Sequence, residues 1–367
     1  MVKKFIQHIG FSLAVLALLS GMSCTRQELG GGAVTVYLSS SLPETRGATP
    51  EETAANVKDG KEIFFSDSDT PDLTLLLFDG NGKLAAKYPY AACSEIMSSP
   101  TGKDLQIRFF SDIDSGAQLP QGTYSIYALA NTTGMTWPTS VAIPDFTDIS
   151  DENNRPTKGK ADQLVFTAAP AAEQAHMPLS AVGTVDVNES GNGVAELSLR
   201  RPVAKVVVRL VNHYGDALTL APNGTEPFVR LKNMNPNKGF VFPQTSDIPA
   251  GVSNGHVEKT ITSVILPDNM VNNDEYYECS SLIYPASGEF KCDIAFNITK
   301  VGDNTLASPH PLSFPDLSIL NKRGEDITSI ARNQCLTITV SINKGKMLSF
   351  SFEVGSWEGV TETVSFD

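Results

Sequence analysis

Few residues of this 367-residue chain have types and spacings that could do chemistry, and the clearest lie near its N-terminus. Lys3 and Lys4 precede an apolar run, Phe11 to Leu19, and then Ser20-Gly21-Met22-Ser23-Cys24. This is a basic start, a short apolar core and a small-residue cleavage site, too brief for the roughly 20 apolar residues that cross a bilayer. Cys24 stands where a bacterial lipoprotein signal places the thiol that is acylated, and two or more acyl chains make a stable anchor. Residues 1–23 therefore read as a signal peptide, with Cys24 as the lipidation site of an exported chain; the alternative is an ordinary secretory signal that happens to end near a cysteine. The second reactive position is the Arg46-Gly47 peptide bond, inside the polar, Pro- and Gly-marked loop Pro43-Glu44-Thr45-Arg46-Gly47, the kind of exposed chain that proteases nick.

Other chemistries find little support. Cys93, Cys279, Cys292 and Cys335 could form two disulfides in an oxidising compartment, with three possible connectivities. Cys279 and Cys292 flank the turn-rich Pro285-Ala286-Ser287-Gly288, a spacing that would let them face each other across a hairpin. The alternative is that they are free, buried thiols acting as small hydrophobes. No CxxC spacing exists for zinc. His176, His213, His256 and His310 are scattered, and no serine or cysteine lies in a nucleophile elbow, so no catalytic residue is assigned. Asp67, Asp69 and Asp72 lack the glycine and closing glutamate of a calcium loop, so no metal or other cofactor is expected. With 41 acidic against 28 basic residues the net charge is −13, and no Lys/Arg cluster provides the footprint that nucleic acid requires.

The elements around the Arg46 loop supply a different kind of reactive group. In Ala33 to Ser39, Val34, Val36 and Leu38 alternate with Thr35, Tyr37 and Ser39, the pattern of a strand with one face buried. A cut after Arg46 would free this strand, making residues 24–46 a propeptide and leaving an unfilled strand position. The 22 prolines and 28 glycines, spread between short alternating runs, favour an all-β chain. Leu73 to Phe78 and Leu84 to Tyr88 flank Asp79-Gly80-Asn81-Gly82 as a hairpin. Tyr124, Ile126, Ala128 and Ala130 share one face of a further strand. The pattern restarts after Arg200-Arg201-Pro202, which divides the body into β-sandwiches at 47–199 and 200–367. The second contains the clearest hairpin, Leu336 to Ile342 with Leu348 to Val354. Leu317 to Ala331 would hold at most one or two helical turns. The chain closes on Val360 to Asp367, with Val360, Val364 and Phe366 on one face and Glu362 interrupting it. Such a stretch either completes its own sheet or is lent to a neighbour as a donor strand.

Three framework stretches resemble the fimbrillins, the family that builds type V pili. They are Leu119-Pro120-x-Gly122-x-Tyr124 leading into a strand that ends Ala130-Asn131, the strand Arg201-x-x-Ala204-Lys205-Val206, and Asn333-x-Cys335-x-x-x-x-Val340 followed by a hairpin and Trp357. The resemblance implies two tandem transthyretin-like β-sandwich domains in a subunit that reaches the cell surface as a lipoprotein, held in the outer membrane through the lipid on Cys24 before processing. It implies that an Arg-specific protease cuts after Arg46, and that other fimbrial subunits, self or related, exchange strands with it. It also leaves room for a tip adhesin or a lipid-held anchor, binding host protein or glycan through loops such as Trp137 to Lys160.

Overall fold

The computed structural model describes residues 32–39, 72–98, 104–110, 119–132, 146, 153–169, 177–252, 254–268, 276–321, 323–345 and 347–356. Up to residue 200 the strands are β1 (Ala33–Ser39), β2 (Leu73–Phe78), β3 (Leu84–Pro89), β4 (Ser94–Ser98) and β5 (Asp104–Phe110). They continue with β6 (Gly122–Ala130), β7 (Val165–Phe166), β8 (Leu179–Val187) and β9 (Gly193–Ser198). One short helix, α1 (Lys158–Asp162), precedes β7, and the Thr157 hydroxyl caps it by accepting from the Lys160 N–H.

After residue 200 come β10 (Ala204–His213), β11 (Leu218–Ala221), β12 (Val229–Met234), β13 (Gly239–Phe240), β14 (Gly255–Lys259) and β15 (Val264–Leu266). Then follow β16 (Tyr277–Ile283), β17 (Ala286–Ser287), β18 (Lys291–Val301) and β19 (Asn304–Ser318). The last are β20 (Ser329–Ile330), β21 (Gln334–Asn343) and β22 (Met347–Ser356).

The alternating residues of these strands decide how the sheets pack. Sheet β4-β5-β1-β9 covers sheet β3-β2-β6-β8, and between them lies a core that includes Val36, Ile107, Leu75, Ile126 and Val185. Sheet β16-β10-β21-β22 covers β14-β12-β18-β11-β15, with β19 paired on β18, around Val208, Ile338, Leu231 and Phe296. The molecule is thus all-β, built of sheets packed face to face. The turn between β2 and β3 is tied by the Asp79 carboxylate, which accepts from the N–H groups of Asn81 (2.9 Å) and Lys83 (3.0 Å), and Gly82 takes a φ of 70° there.

A third buried cluster joins the two parts. Leu76, Phe78, Tyr127 and Phe166 from before residue 200 pack with Val241, Phe242, Leu282 and Tyr284 from after it. A two-stranded ladder spans the same junction, Gly239 opposite Phe166 and Phe240 opposite Val165. Arg332 lies at its centre: it donates to Asp247 (3.1 Å), to the Ser180 hydroxyl (3.3 Å) and to the carbonyls of Phe240 (3.0 Å) and Phe242 (3.2 Å).

Two local readings need correction. Residues 317–331 contain no helix among those described; the chain there finishes β19 and passes through turns to β20. Cys279 and Cys292 do not face each other across a hairpin, because the chain between them leaves one sheet for the other: Cys279 is on β16 and Cys292 on β18, and both thiols are free.

Candidate functional site

Strand β1 is an interior strand, and this makes it the candidate site. It runs antiparallel to β5, with Val34 opposite Phe109, Val36 opposite Ile107 and Leu38 opposite Leu105. On its other side it runs parallel to β9, with Val34 opposite Gly193, Val36 opposite Ala195 and Leu38 opposite Leu197. Val34, Val36 and Leu38 are 0%, 0% and 1% exposed, and their methyl groups belong to the core shared with β2, β6 and β8. The outer face is polar at its middle, where the Tyr37 hydroxyl accepts from the Gln106 amide at 3.2 Å.

Both ends of the strand are fastened. At the start, the Ala33 N–H donates to the Asn192 side chain (3.1 Å), and Gly32 lies against Gly191 so closely that a Cβ on Gly32 would stand 2.6 Å from the Gly191 Cα. At the finish, the Ser39 carbonyl accepts from the Leu199 N–H at 2.7 Å.

Among the described residues, β1 is the ladder partner on which β9 depends for its place in the sheet, since β9 is the outermost strand beyond it. Strand β9 is nevertheless held from behind. The turn from β8 is tied by the Asn188 carboxamide, which accepts from the N–H groups of Ser190 (2.9 Å) and Asn192 (3.0 Å). At the other end Ser180 and Arg200 exchange two backbone hydrogen bonds, of 2.9 and 3.0 Å. The Ser180 hydroxyl in turn donates to the Val241 carbonyl and meets Arg332. The two ends of β9 are therefore held by contacts that do not include β1, and β5 keeps its ladder with β4. A cleft of about 620 Å³ at the junction, lined in part by Leu197, Ser198, Asp247 and Arg332, adjoins the end of β9. Its central cation is already bound to Asp247.

Emptied of β1, this geometry would present a row of N–H and C=O groups on β5 and β9 and an apolar trough beneath them. Its chemistry is recognition of an extended chain, with backbone pairing for affinity and three alternate side-chain sites for specificity. An occupant that lies as β1 does runs parallel to β9 and antiparallel to β5.

Of the residues singled out in the sequence, the structure brings Val34, Val36 and Leu38 together in this position. Cys24, Arg46, Gly47, Val360, Val364 and Phe366 lie outside the described residues. The cysteines take no part: burial pushes the Cys279 thiol up to about 11 and the Cys292 thiol up to about 12, so neither supplies a thiolate near neutrality. No group of three or more His, Cys, Asp or Glu that could hold a metal occurs among the described residues. Sequence reasoning missed Asn192, Gly32 and Gly191. The run Gly30-Gly31-Gly32 and the turn Asn188 to Asn192 were their visible signals, but nothing in either says that the two meet.

The sequence matches no protein-family model and no curated protein. Solved structures do resemble it. A provisionally assigned cell adhesion protein of Parabacteroides distasonis aligns over 91% of this chain and 99% of its own, with a TM-score of 0.54 at 11% identity. A fimbrilin of Porphyromonas gingivalis aligns over 91% of this chain and 100% of its own (TM-score 0.49, 10% identity). A similarly assigned adhesion protein of Bacteroides eggerthii aligns over 90% and 97% (TM-score 0.48, 13% identity). The structural neighbours of this chain are thus adhesion and fimbrial proteins, and it has the all-β fold of the Parabacteroides protein along nearly its whole length.

Proposed function

We propose that this chain is a structural or adhesive subunit of a bacterial surface fimbrium. In this reading it is exported as a lipoprotein through Cys24, cut after Arg46 by an Arg-specific protease, and joined to its neighbours by exchange of β1 for a donor strand. The observation that carries the reading is the place of β1: the first described strand, joined onward by the segment that contains Arg46, is also an interior strand between β5 and β9. Its departure exposes what an incoming strand can satisfy.

Refilling three buried aliphatic sites would contribute about 1.5 to 3 kcal/mol for each fully buried side chain, before the cost of ordering the donor. Val360, Val364 and Phe366 form the apolar face that this chain would lend to a neighbouring subunit. The adhesion and fimbrial roles given to the structural neighbours agree with this reading, and the adhesion assignment of the Parabacteroides protein favours surface attachment as part of the role.

The test is Arg46→Ala in the exporting cell, with surface material run on a gel without boiling. Loss of the detergent-resistant ladder is expected, with full-length, lipidated monomer accumulating in its place. An unchanged ladder would mean that cleavage in this loop does not license assembly.

A further inference from the structure

The position of β1 is selective enough to be compared with this chain's own tail. Three features define what fits. The inward sites held by Val34, Val36 and Leu38 are closed off from water and packed with Leu75, Ile107, Ile126 and Leu197. The buried cations among the described residues, Arg201 and Arg332, lie at the junction and are hydrogen-bonded to Asn333 and Asp247. The place two residues ahead of the first inward site is held by Gly32, where any Cβ meets the Gly191 backbone.

Laid in the direction of β1, with Val360, Glu362 or Val364 on the Val34 site or in the opposite phase, the tail Val360-Thr361-Glu362-Thr363-Val364-Ser365-Phe366 fails these conditions. With Val360 on the Val34 site, Glu362 falls on the Val36 site and Glu358 on Gly32. With Glu362 on the Val34 site, Val360 replaces Gly32. With Val364 on the Val34 site, Glu362 itself replaces Gly32. The opposite phase sets a glycine, Gly359, at the Gly32 place but turns Thr361, Thr363 and Ser365 into the trough. A carboxylate buried without a partner, or a side chain driven into backbone, excludes the first three; unpaired hydroxyls disfavour the fourth.

We propose, resting on the strand-exchange reading above, that the vacancy left by β1 takes a strand from a different subunit and not from a second copy of this chain. The partner strand has uncharged apolar side chains at three successive alternate positions and a glycine two residues before the first. The chain therefore joins unlike neighbours, accepting from one and lending its Glu362-bearing tail to another whose groove tolerates that residue.

The experiment uses the full exported chain cut after Arg46, with β1 released while a competing peptide is present in excess, so that the position is never left empty. Three peptides compete, and occupancy is counted by native mass spectrometry: residues 30–40, residues 356–367, and the latter with Glu358→Gly and Glu362→Val. The expected order is that the wild-type tail competes at least about 100-fold less well than the β1 peptide, equivalent to a difference of about 2.8 kcal/mol. The doubly substituted tail should come within about tenfold of the β1 peptide. A wild-type tail within tenfold of the β1 peptide overturns the proposal and leaves strand exchange standing. Failure of both tails while the β1 peptide binds also overturns it, since charge and glycine would then not be the selective features. If neither the β1 peptide nor the substituted tail enters, strand exchange itself fails.

Discussion

Cys292 has no exposure and lies on β18 between Leu231 and Leu317 of the adjoining strands. Burial, first among the causes, raises its thiol from about 9.0 to about 12. A group whose folded value exceeds its unfolded value contributes stability that is complete below the unfolded value and is lost as pH rises through the folded one. The window is therefore pH 9 to 12, with a loss of up to about 1.4 kcal/mol per pH unit from this one thiol. Cys292→Val, which removes the titration and keeps an apolar side chain, should flatten the alkaline limb when urea midpoints are compared at pH 7, 9 and 10.5. Equal slopes for the two proteins would show that other groups, Tyr88 among them, carry the alkaline loss. The same residue shows why the disulfide expectation failed. A turn-rich gap between two cysteines looks like a hairpin in sequence, whereas here it is the crossing between two facing sheets.

Strand β1 was legible because Val34, Val36 and Leu38 alternate with polar residues, and the β21–β22 hairpin because two such runs flank a short turn; Ile342 does pair with Leu348 and Ile338 with Phe352. What sequence could not show is that β1 pairs parallel to β9. The two are separated by more than 150 residues, and a parallel pair leaves no turn signature to find. Strand β8, LSAVGTVDV, escaped notice because Gly183 and small side chains blur its pattern. Strand β19 escaped because Pro309, Pro311 and Pro315 argue against a strand. It is an edge strand paired only with β18, the setting in which proline is tolerated, and the missing N–H groups weaken that edge as a template for further pairing. The unequal dependence of β5 and β9 on β1 is measurable. If the chain is cut after Arg46, as proposed, and β1 is removed without a replacement, β9 amides at 193–198 should exchange hydrogen far faster than before, while β5 keeps part of its protection through β4. Equal loss in both strands would mean that β4 does not hold β5 in place.

At the scale of the molecule, the third cluster decides whether the parts before and after residue 200 respond separately to stress. Phe242 is fully buried there, its ring 4.9 Å from that of Tyr127, and Tyr284 reaches across to donate to the Ala168 carbonyl at 2.6 Å. Gly239 lets this happen, because a Cβ at that position would occupy the Tyr284 ring. In the fibre reading proposed above, the subunit would bear load from one neighbour to the next, and a junction packed like a core would transmit that load as one body where a hinge would not. Phe242→Ala removes the ring from a filled site and should cost about 3 to 5 kcal/mol of the coupling. Gly239→Ala attacks the same contact by overfilling it. If the junction binds the two parts into one cooperative unit, calorimetry should give one transition for the wild type and two for either variant. The lower transition should then be accompanied by proteolysis confined to one side of residue 200. Two transitions already present in the wild type would make the parts independent, and the buried cluster between them would then be a contact without mechanical consequence.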